Sequence, residues 1–552
     1  MEDQAAHESV RPPSCPEASM TSPSRIPSCR PRGTHLHLAV TLLSAAMIAS
    51  CGGGSGGGGS AGGSDSAQQT LSSATFSKAP PALARTDTVV IRFDAPADTA
   101  SLVLGGGLSA EATGTWSSTS AENDTYTLSP ASGNWTVGEG KDITVSVKGK
   151  AGGSASAAAS YVVPLAIANF APAVAAIGQA NLTSRIPNSG TIGSVVAGGM
   201  NTPYGNVAIA PDGKVFISDY NNNRVLGFNS LPTASGANAD IVLGQPDFVT
   251  GTYPGAPTRS VIGSPQGAAI GAGKMAVVDY AYSRVLIYNA VPTASGALPD
   301  VVVGASGFTT SAPGCGAAKL NLPYAVFITQ DGRLLVADSG NNRVLIWNSV
   351  PTTNGASPDL VLGQGSLTTC ARNDDDQNAA PDVQPSARTF DDPQGIWTDG
   401  TRLAIIDRQN NRVLIWKTFP TSNFQPADIV LGHSSFNLNQ PNDGNPLPSA
   451  QTLDHPSAGI HSNGVQFAVA DDSNNRVLIW NTFPTRNFQP ADVVLGQGAF
   501  DMATKNDDNQ DRTNDLAATA RTMSTPIGVR FYKDKLLVTD LDNNRVLVIP
   551  SR

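Results

Sequence analysis

The pattern Asp-x-x-x-x-Arg-Val-Leu comes round six times in this chain, and it constrains the fold more than any other feature. Its aspartates are Asp219, Asp279, Asp338, Asp407, Asp471 and Asp540, followed five residues later by Arg224, Arg284, Arg343, Arg412, Arg476 and Arg545. The arginines recur every 59 to 69 residues. That period is too long for one solenoid turn and suits a four-stranded propeller blade with long loops.

The third copy shows the expected unit. Pro323 opens an apolar strand, Asp331-Gly332 makes a tight hairpin, a second strand ends at Asp338, and Asn341-Asn342 turns into a third strand from Arg343. Pro351 and Gly355 start the crossing to a fourth strand, Asp359-Leu-Val-Leu-Gly-Gln364. The last copy stops after its third strand, at Val546-Leu-Val-Ile-Pro550, while Val174-Ala-Ala-Ile-Gly-Gln179 stands ahead of the first copy as a spare fourth strand. Pairing the two closes a ring of six blades and removes free sheet edges.

The order Pro-x-Gly, apolar strand, Asp-Gly, Val-x-Asp, Asn-Asn-Arg-Val-Leu resembles the NHL repeat, which builds six-bladed β-propellers. The resemblance covers the chain from about Val174 to its end. The expected fold class is therefore all-β: a six-bladed NHL-type β-propeller over residues 170–552, preceded by a small Ig-like β-sandwich over 75–165. Alternation at Thr88 to Phe93, further strands at Thr125 to Leu128 and Asp142 to Val147, and turns at Asn123-Asp124 and Gly138 to Gly140 carry the second expectation. Trp116 and Trp135 are its expected core anchors, and a spacer between repeats and membrane is its expected role.

The N-terminal part reads as an export address. Leu38 to Ile48 is an apolar stretch of 11 residues behind Arg25, Arg30 and Arg32, too short to span a bilayer. It ends in Ile48-Ala49-Ser50-Cys51, which resembles a bacterial lipobox and marks Cys51 for lipidation. Residues 1–50 are then a signal peptide, with Met20 an alternative start, and the Gly/Ser-rich stretch 51–74 is a tether with a reach of roughly 25 Å. Gly52 after the cysteine, rather than Asp, resembles lipoproteins sorted to the outer membrane. The expected seat is the bacterial cell envelope, with membrane contact through the lipid anchor.

The formal charge of −9 gives no electrostatic attraction for nucleic acid. Beyond the signal and Cys51 only Cys315 and Cys370 remain, in equivalent loops of successive repeats, and an oxidising compartment would let them pair.

Sixfold identity argues that the Asp-Arg pairs are structural, since a catalytic centre needs unlike residues in unlike roles. Function is expected where the repeats differ. After the strand-opening proline stand Tyr204, Gln266, Tyr324, Gln394, Ser457 and Ile527; three residues on stand Val207, Ala269, Phe327, Trp397, Ile460 and Arg530. These rings should face the axis, and Tyr204, Gln266, Tyr324, Gln394, Trp397 and Arg530 are the ligand-binding candidates. NHL-like lyases bring metal-binding histidines to the axis from several blades, whereas here only His433, His455 and His461 follow the signal, all within one stretch of the chain. No catalytic residue, metal or cofactor is expected. The acid-amide loops at Asn373 to Asn378 and Asn506 to Asp511 are read as solvated tips without the spacing of a known calcium loop. The expected function is a monomeric, non-catalytic binding or scaffold platform for envelope protein or glycan partners. The alternative is a propeller enzyme of lyase or lactonase type with an axial metal.

Overall fold

Strands form where the repeat places runs of Val, Leu and Ile between turn residues, and in the blades these runs are buried on both faces: Arg412–Trp416 and Arg476–Trp480 are buried at every position. The computed structural model describes residues 69–190 and 194–552. The expected signal, Cys51 and residues 51–68 of the expected tether lie outside the described residues.

Six four-stranded antiparallel sheets make up the repeat region. The first runs Pro203–Ile209, Val215–Asp219, Arg224–Phe228 and Ile241–Leu243, and the next four repeat that order. The sixth takes Pro526–Tyr532, Lys535–Asp540 and Arg545–Pro550 from the end of the chain and its outer strand, Ala175–Ile177, from before the first blade. Val546, Leu547 and Val548 pair with Ile177, Ala176 and Ala175, so the ring closes as the truncated last repeat leads one to expect. The innermost strand of each sheet touches that of the next, and the sixth touches the first. This is a multi-blade β-propeller.

Each interface between adjacent blades holds one apolar cluster. Ala276 and Ile287 of the second blade pack with Val336 and Trp347 of the third, and the cluster between the sixth and first blades includes Val548, Val546, Ile217 and Phe228.

The Asp-Arg pairs are fully buried. In each, arginine Nε donates to aspartate Oδ2 at 2.7 or 2.8 Å, while the two terminal nitrogens donate to loop carbonyls. Arg476, for example, reaches the Phe500, Ser449 and Thr452 carbonyls. The other aspartate oxygen accepts a backbone N–H, such as that of Asp454 for Asp471. Nearly every charge-bearing atom is thus hydrogen-bonded, which is what makes ionic burial tolerable.

The residue before each arginine adds a second device. Asn223, Ser283, Asn342, Asn411, Asn475 and Asn544 adopt the left-handed conformation. Their side-chain oxygens accept the N–H of Ser264, Leu322, Asp392, His455, Thr525 and Thr202, each in the following blade. Every blade is latched to the next, including the sixth to the first.

Ahead of the propeller a four-stranded and a three-stranded sheet share one core in which Trp135, Ile143 and Tyr161 are fully buried. Trp116 is only partly buried, on the edge strand Ala112–Ser117 against Phe93 and Tyr126, and so is not a core anchor. Gly138 to Gly140 is not a turn. It forms the irregular start of the strand Gly138–Lys148. Gly138 has φ 116°, and a Cβ there would lie 2.5 Å from the Lys533 carbonyl of the sixth blade.

That contact shows that the sandwich is docked on the propeller. The sandwich sits on the propeller's hairpin face, with Pro81 near Gly464. Leading out of it, Leu165 exchanges two hydrogen bonds with the Gln466 side chain, and Ala166 binds Ser551 and Arg552. Among the described residues no helix is long and apolar enough to cross a membrane.

Candidate axial binding site

Each inner strand runs from its proline on one face of the ring to its hairpin on the other, so the unlike residues of the repeats meet along the axis. On the proline face four tyrosines gather. Ring centroids of Tyr204 and Tyr324 are 6.0 Å apart, Tyr204 and Tyr220 5.6 Å, and Tyr280 and Tyr324 5.3 Å. Burial raises the Tyr204 hydroxyl pKa, Asp472 and Asp392 add to the rise, and Ser457 and Arg408 oppose it. Those neighbours belong to the fourth and fifth blades, so Tyr204, carried by the first, reaches across the axis and plugs the channel on this face.

Beyond the plug lies a cavity of about 550 Å³. It extends from Gln266 and Tyr324 to the hairpins at Asp331 and Asp399, both exposed at the rim. Its walls mix apolar side chains, Val207, Ala269, Phe327 and Ile396 among them, with polar ones such as Asn206, Thr398 and Ser462. Polar groups converge at one side: Arg530, His461, and Glu139 from the sandwich.

Arg530 makes no hydrogen bond and no ion pair within 4.0 Å among the described residues, and its Nε is buried without a partner. Burial lowers its pKa and Glu139 opposes the drop. Burial lifts Glu139 from its ordinary 4.5 to about 6, with Arg530 pulling it back. His461 is held well below the usual histidine range by burial and by the Arg530 charge. Its Nδ1 accepts the Phe531 N–H at 3.3 Å, so the proton of the neutral ring sits on Nε2. Gln266 is 2% exposed and its Oε1 has no partner. Buried groups left unsatisfied in this way are exceptional and call for an explanation.

The six ligand-binding candidates thus divide. Gln266, Tyr324, Trp397 and Arg530 border the cavity, while Tyr204 belongs to the plug. Gln394 is committed elsewhere, donating to Asp392 and accepting from Ser457. Trp397 borders the cavity with little of its surface free. It is 3% exposed, packs on Phe467 and Phe483 between the fourth and fifth blades, and donates its indole N–H to the Ser462 carbonyl. Most of its ring lies in the interblade core.

Sequence reasoning missed Glu139, Tyr220 and Tyr280. The tyrosines directly follow the motif aspartates and so carried a readable position. Glu139 carried none, because only docking of the sandwich brings it to the axis.

The histidines do not assemble. His433 takes the place of the outer-strand glutamine, bonding the Asn410 carbonyl through Nε2, and His455 sits beside Asp454 on the proline face. Among the described residues the single grouping of possible metal ligands is Asp374, Asp376 and Asp382. Its loop is not a loose tip. Asp374 is fully buried and accepts the N–H groups of Asn378 and Ala379, and Asp507 does the same with Asp511 and Arg512. Cys315 and Cys370 are disulfide-bonded with Cα atoms 6.1 Å apart.

No protein-family model matches the chain, and no curated protein matches it. Among solved structures it is similar to a protein of unknown function from Bacteroides thetaiotaomicron, at 14% identity and TM-score 0.41, covering 88% of this chain and 98% of that one. It is also similar to a catalytically inactive virginiamycin B lyase from Staphylococcus aureus bound to quinupristin, at 13% identity and TM-score 0.33, covering 81% and 99%. An aldose sugar dehydrogenase from Streptomyces coelicolor in its PQQ-bound form gives 15% identity and TM-score 0.33, covering 65% and 96%. Such likeness concerns shape, and function does not travel with it.

Proposed function

We propose that this chain is a lipid-anchored envelope protein whose NHL-type propeller binds a small ligand in its axial cavity without chemically changing it, and that the Ig-like sandwich caps the site. The observation that carries this reading is the cavity of about 550 Å³ with unpartnered Arg530 Nε and Gln266 Oε1 in its lining. Pockets of that size, mostly apolar with a few placed polar groups, are typical of small-molecule sites. The tyrosine plug favours the axis over the loop-bearing face as the seat of binding. Lipidation rests on the lipobox resemblance at Cys51, and Cys51→Ser should move the protein from the membrane pellet to the soluble fraction.

Binding is tested by native mass spectrometry of protein purified from membranes. A small-molecule adduct is expected, and Ala269→Phe, which adds bulk at a cavity-lining position of the second blade, should remove it, with a circular-dichroism spectrum like the parent's showing that the ring still folds. An adduct that survives Ala269→Phe would place the site elsewhere. The enzyme alternative draws on Glu139 and His461, two groups able to move protons, sharing this cavity. Stoichiometric metal in the purified protein would favour it.

A further inference from the structure

From the polar groups of the axial cavity we infer the class of its ligand: a monocarboxylate with an apolar body, its oxygens held by the Arg530 guanidinium and the His461 Nε2–H. This rests on the axial-cavity reading above.

The donors and the charge count select that class. Arg530 is spent on no protein acceptor, and its planar fork matches a carboxylate in two parallel hydrogen bonds. His461 has given its acceptor nitrogen to the Phe531 N–H, so what remains is a donor. Arg530 and His461 stand on neighbouring inner strands, Pro526–Tyr532 and Ile460–Ser462 of adjacent blades, and both border the cavity. Neither finds an acceptor in the protein other than the carboxylate of Glu139, which lies beyond 4.0 Å from Arg530.

Glu139 limits the charge of the guest. Among the described residues Arg530 is the one cation in the lining and Glu139 the carboxylate nearest it, with Asp331 and Asp399 out at the exposed rim, so a monoanion is attracted to Arg530, whereas a dianion such as phosphate also meets repulsion from Glu139. Elsewhere the wall includes Val207, Ala269 and Phe327, which suit hydrocarbon, and polar side chains such as Asn206, Thr398 and Ser462 that are already hydrogen-bonded within the protein. Gln266 Oε1, at the plug end, would take a hydrogen-bond donor on the far side of that body.

The test uses the full chain in detergent and two probes of one shape, phenylbutyrate and phenylbutyramide, with affinities from isothermal titration calorimetry. The acid should bind at least tenfold more tightly than the amide. Arg530→Gln should remove that preference, and inorganic phosphate should not compete. Should Arg530→Gln fail to fold, Arg530→Lys keeps the charge, loses the fork, and should reduce the preference several-fold. Equal binding of acid and amide, both abolished by Ala269→Phe, would overturn the carboxylate assignment and leave the cavity reading standing. A preference for the acid that persists in Arg530→Gln, or competition by phosphate, would also overturn it. If neither probe binds, and Ala269→Phe does not affect the adduct seen in the parent protein, both readings fall.

Discussion

At the scale of single residues, position on a repeat and role in the molecule come apart according to side-chain size and partnership. Trp397 stands at an axial position of its repeat, yet its ring fills the gap between two blades beside Phe467 and Phe483. Trp397→Ala should therefore cost about 3–5 kcal/mol of stability in chemical denaturation, the range for losing a large buried aromatic. An unchanged unfolding midpoint would return Trp397 to the list of contact residues. Glu139 makes a second prediction. Its pKa in the folded protein, about 6, lies above its ordinary 4.5 because the charged form is desolvated. The stability it contributes is then fully present below pH 4.5 and is lost as pH rises through 6. Glu139→Gln should be neutral at about pH 4 and stabilising at about pH 7.5, by about 1–2 kcal/mol after allowance for its partial exposure. Equal effects at both pH values would mean that its carboxyl titrates normally.

At the scale of elements, most of the propeller was legible because its signals are local. A proline, a hairpin that is Asp-Gly in three of the six copies, and a turn that is Asn-Asn in five mark the limits of most strands from neighbouring residues alone, and six copies make the register evident. The closing strand was legible for the opposite reason, as a shortage: the last repeat lacks its fourth strand and the chain holds one to spare. Replacing Ala175, Ala176 and Ile177 by glycine should leave the third strand of the last blade with an exposed edge and give concentration-dependent association by light scattering. A monomer with an unshifted melting curve would show that closure is dispensable. What stayed hidden was long-range. Nothing in Gly138-Glu139-Gly140 announces that the first glycine admits a propeller carbonyl and that the next side chain enters the axial cavity. Likewise, the rings of inner-strand residues could be listed from the repeat, but which of them turn inward depends on the volumes of their neighbours.

At the scale of the whole molecule, the chain is tied in several independent ways. The disulfide between Cys315 and Cys370 joins the loops on either side of the third blade across a sequence separation of 55 residues. On a chain-entropy basis such a link stabilises by up to about 4 kcal/mol, so Cys370→Ser should lower the melting temperature, and reductant should lower that of the parent to match. Insensitivity to reductant would mean that the bridge is absent in solution. The strand Ala175–Ile177 has a different consequence. It is made before the first blade, yet among the described residues its ladder partner, Arg545–Pro550, is made after five whole blades. Five blades can form in order as the chain emerges, but the sixth must wait for the final residues. Because closure entropy rises only as the logarithm of length, the wait costs little once the partner arrives. The joint therefore works as a check on order: until Arg545–Pro550 has been made, the strand Ala175–Ile177 keeps an open sheet edge visible to chaperones and proteases, and pairing with it hides that edge.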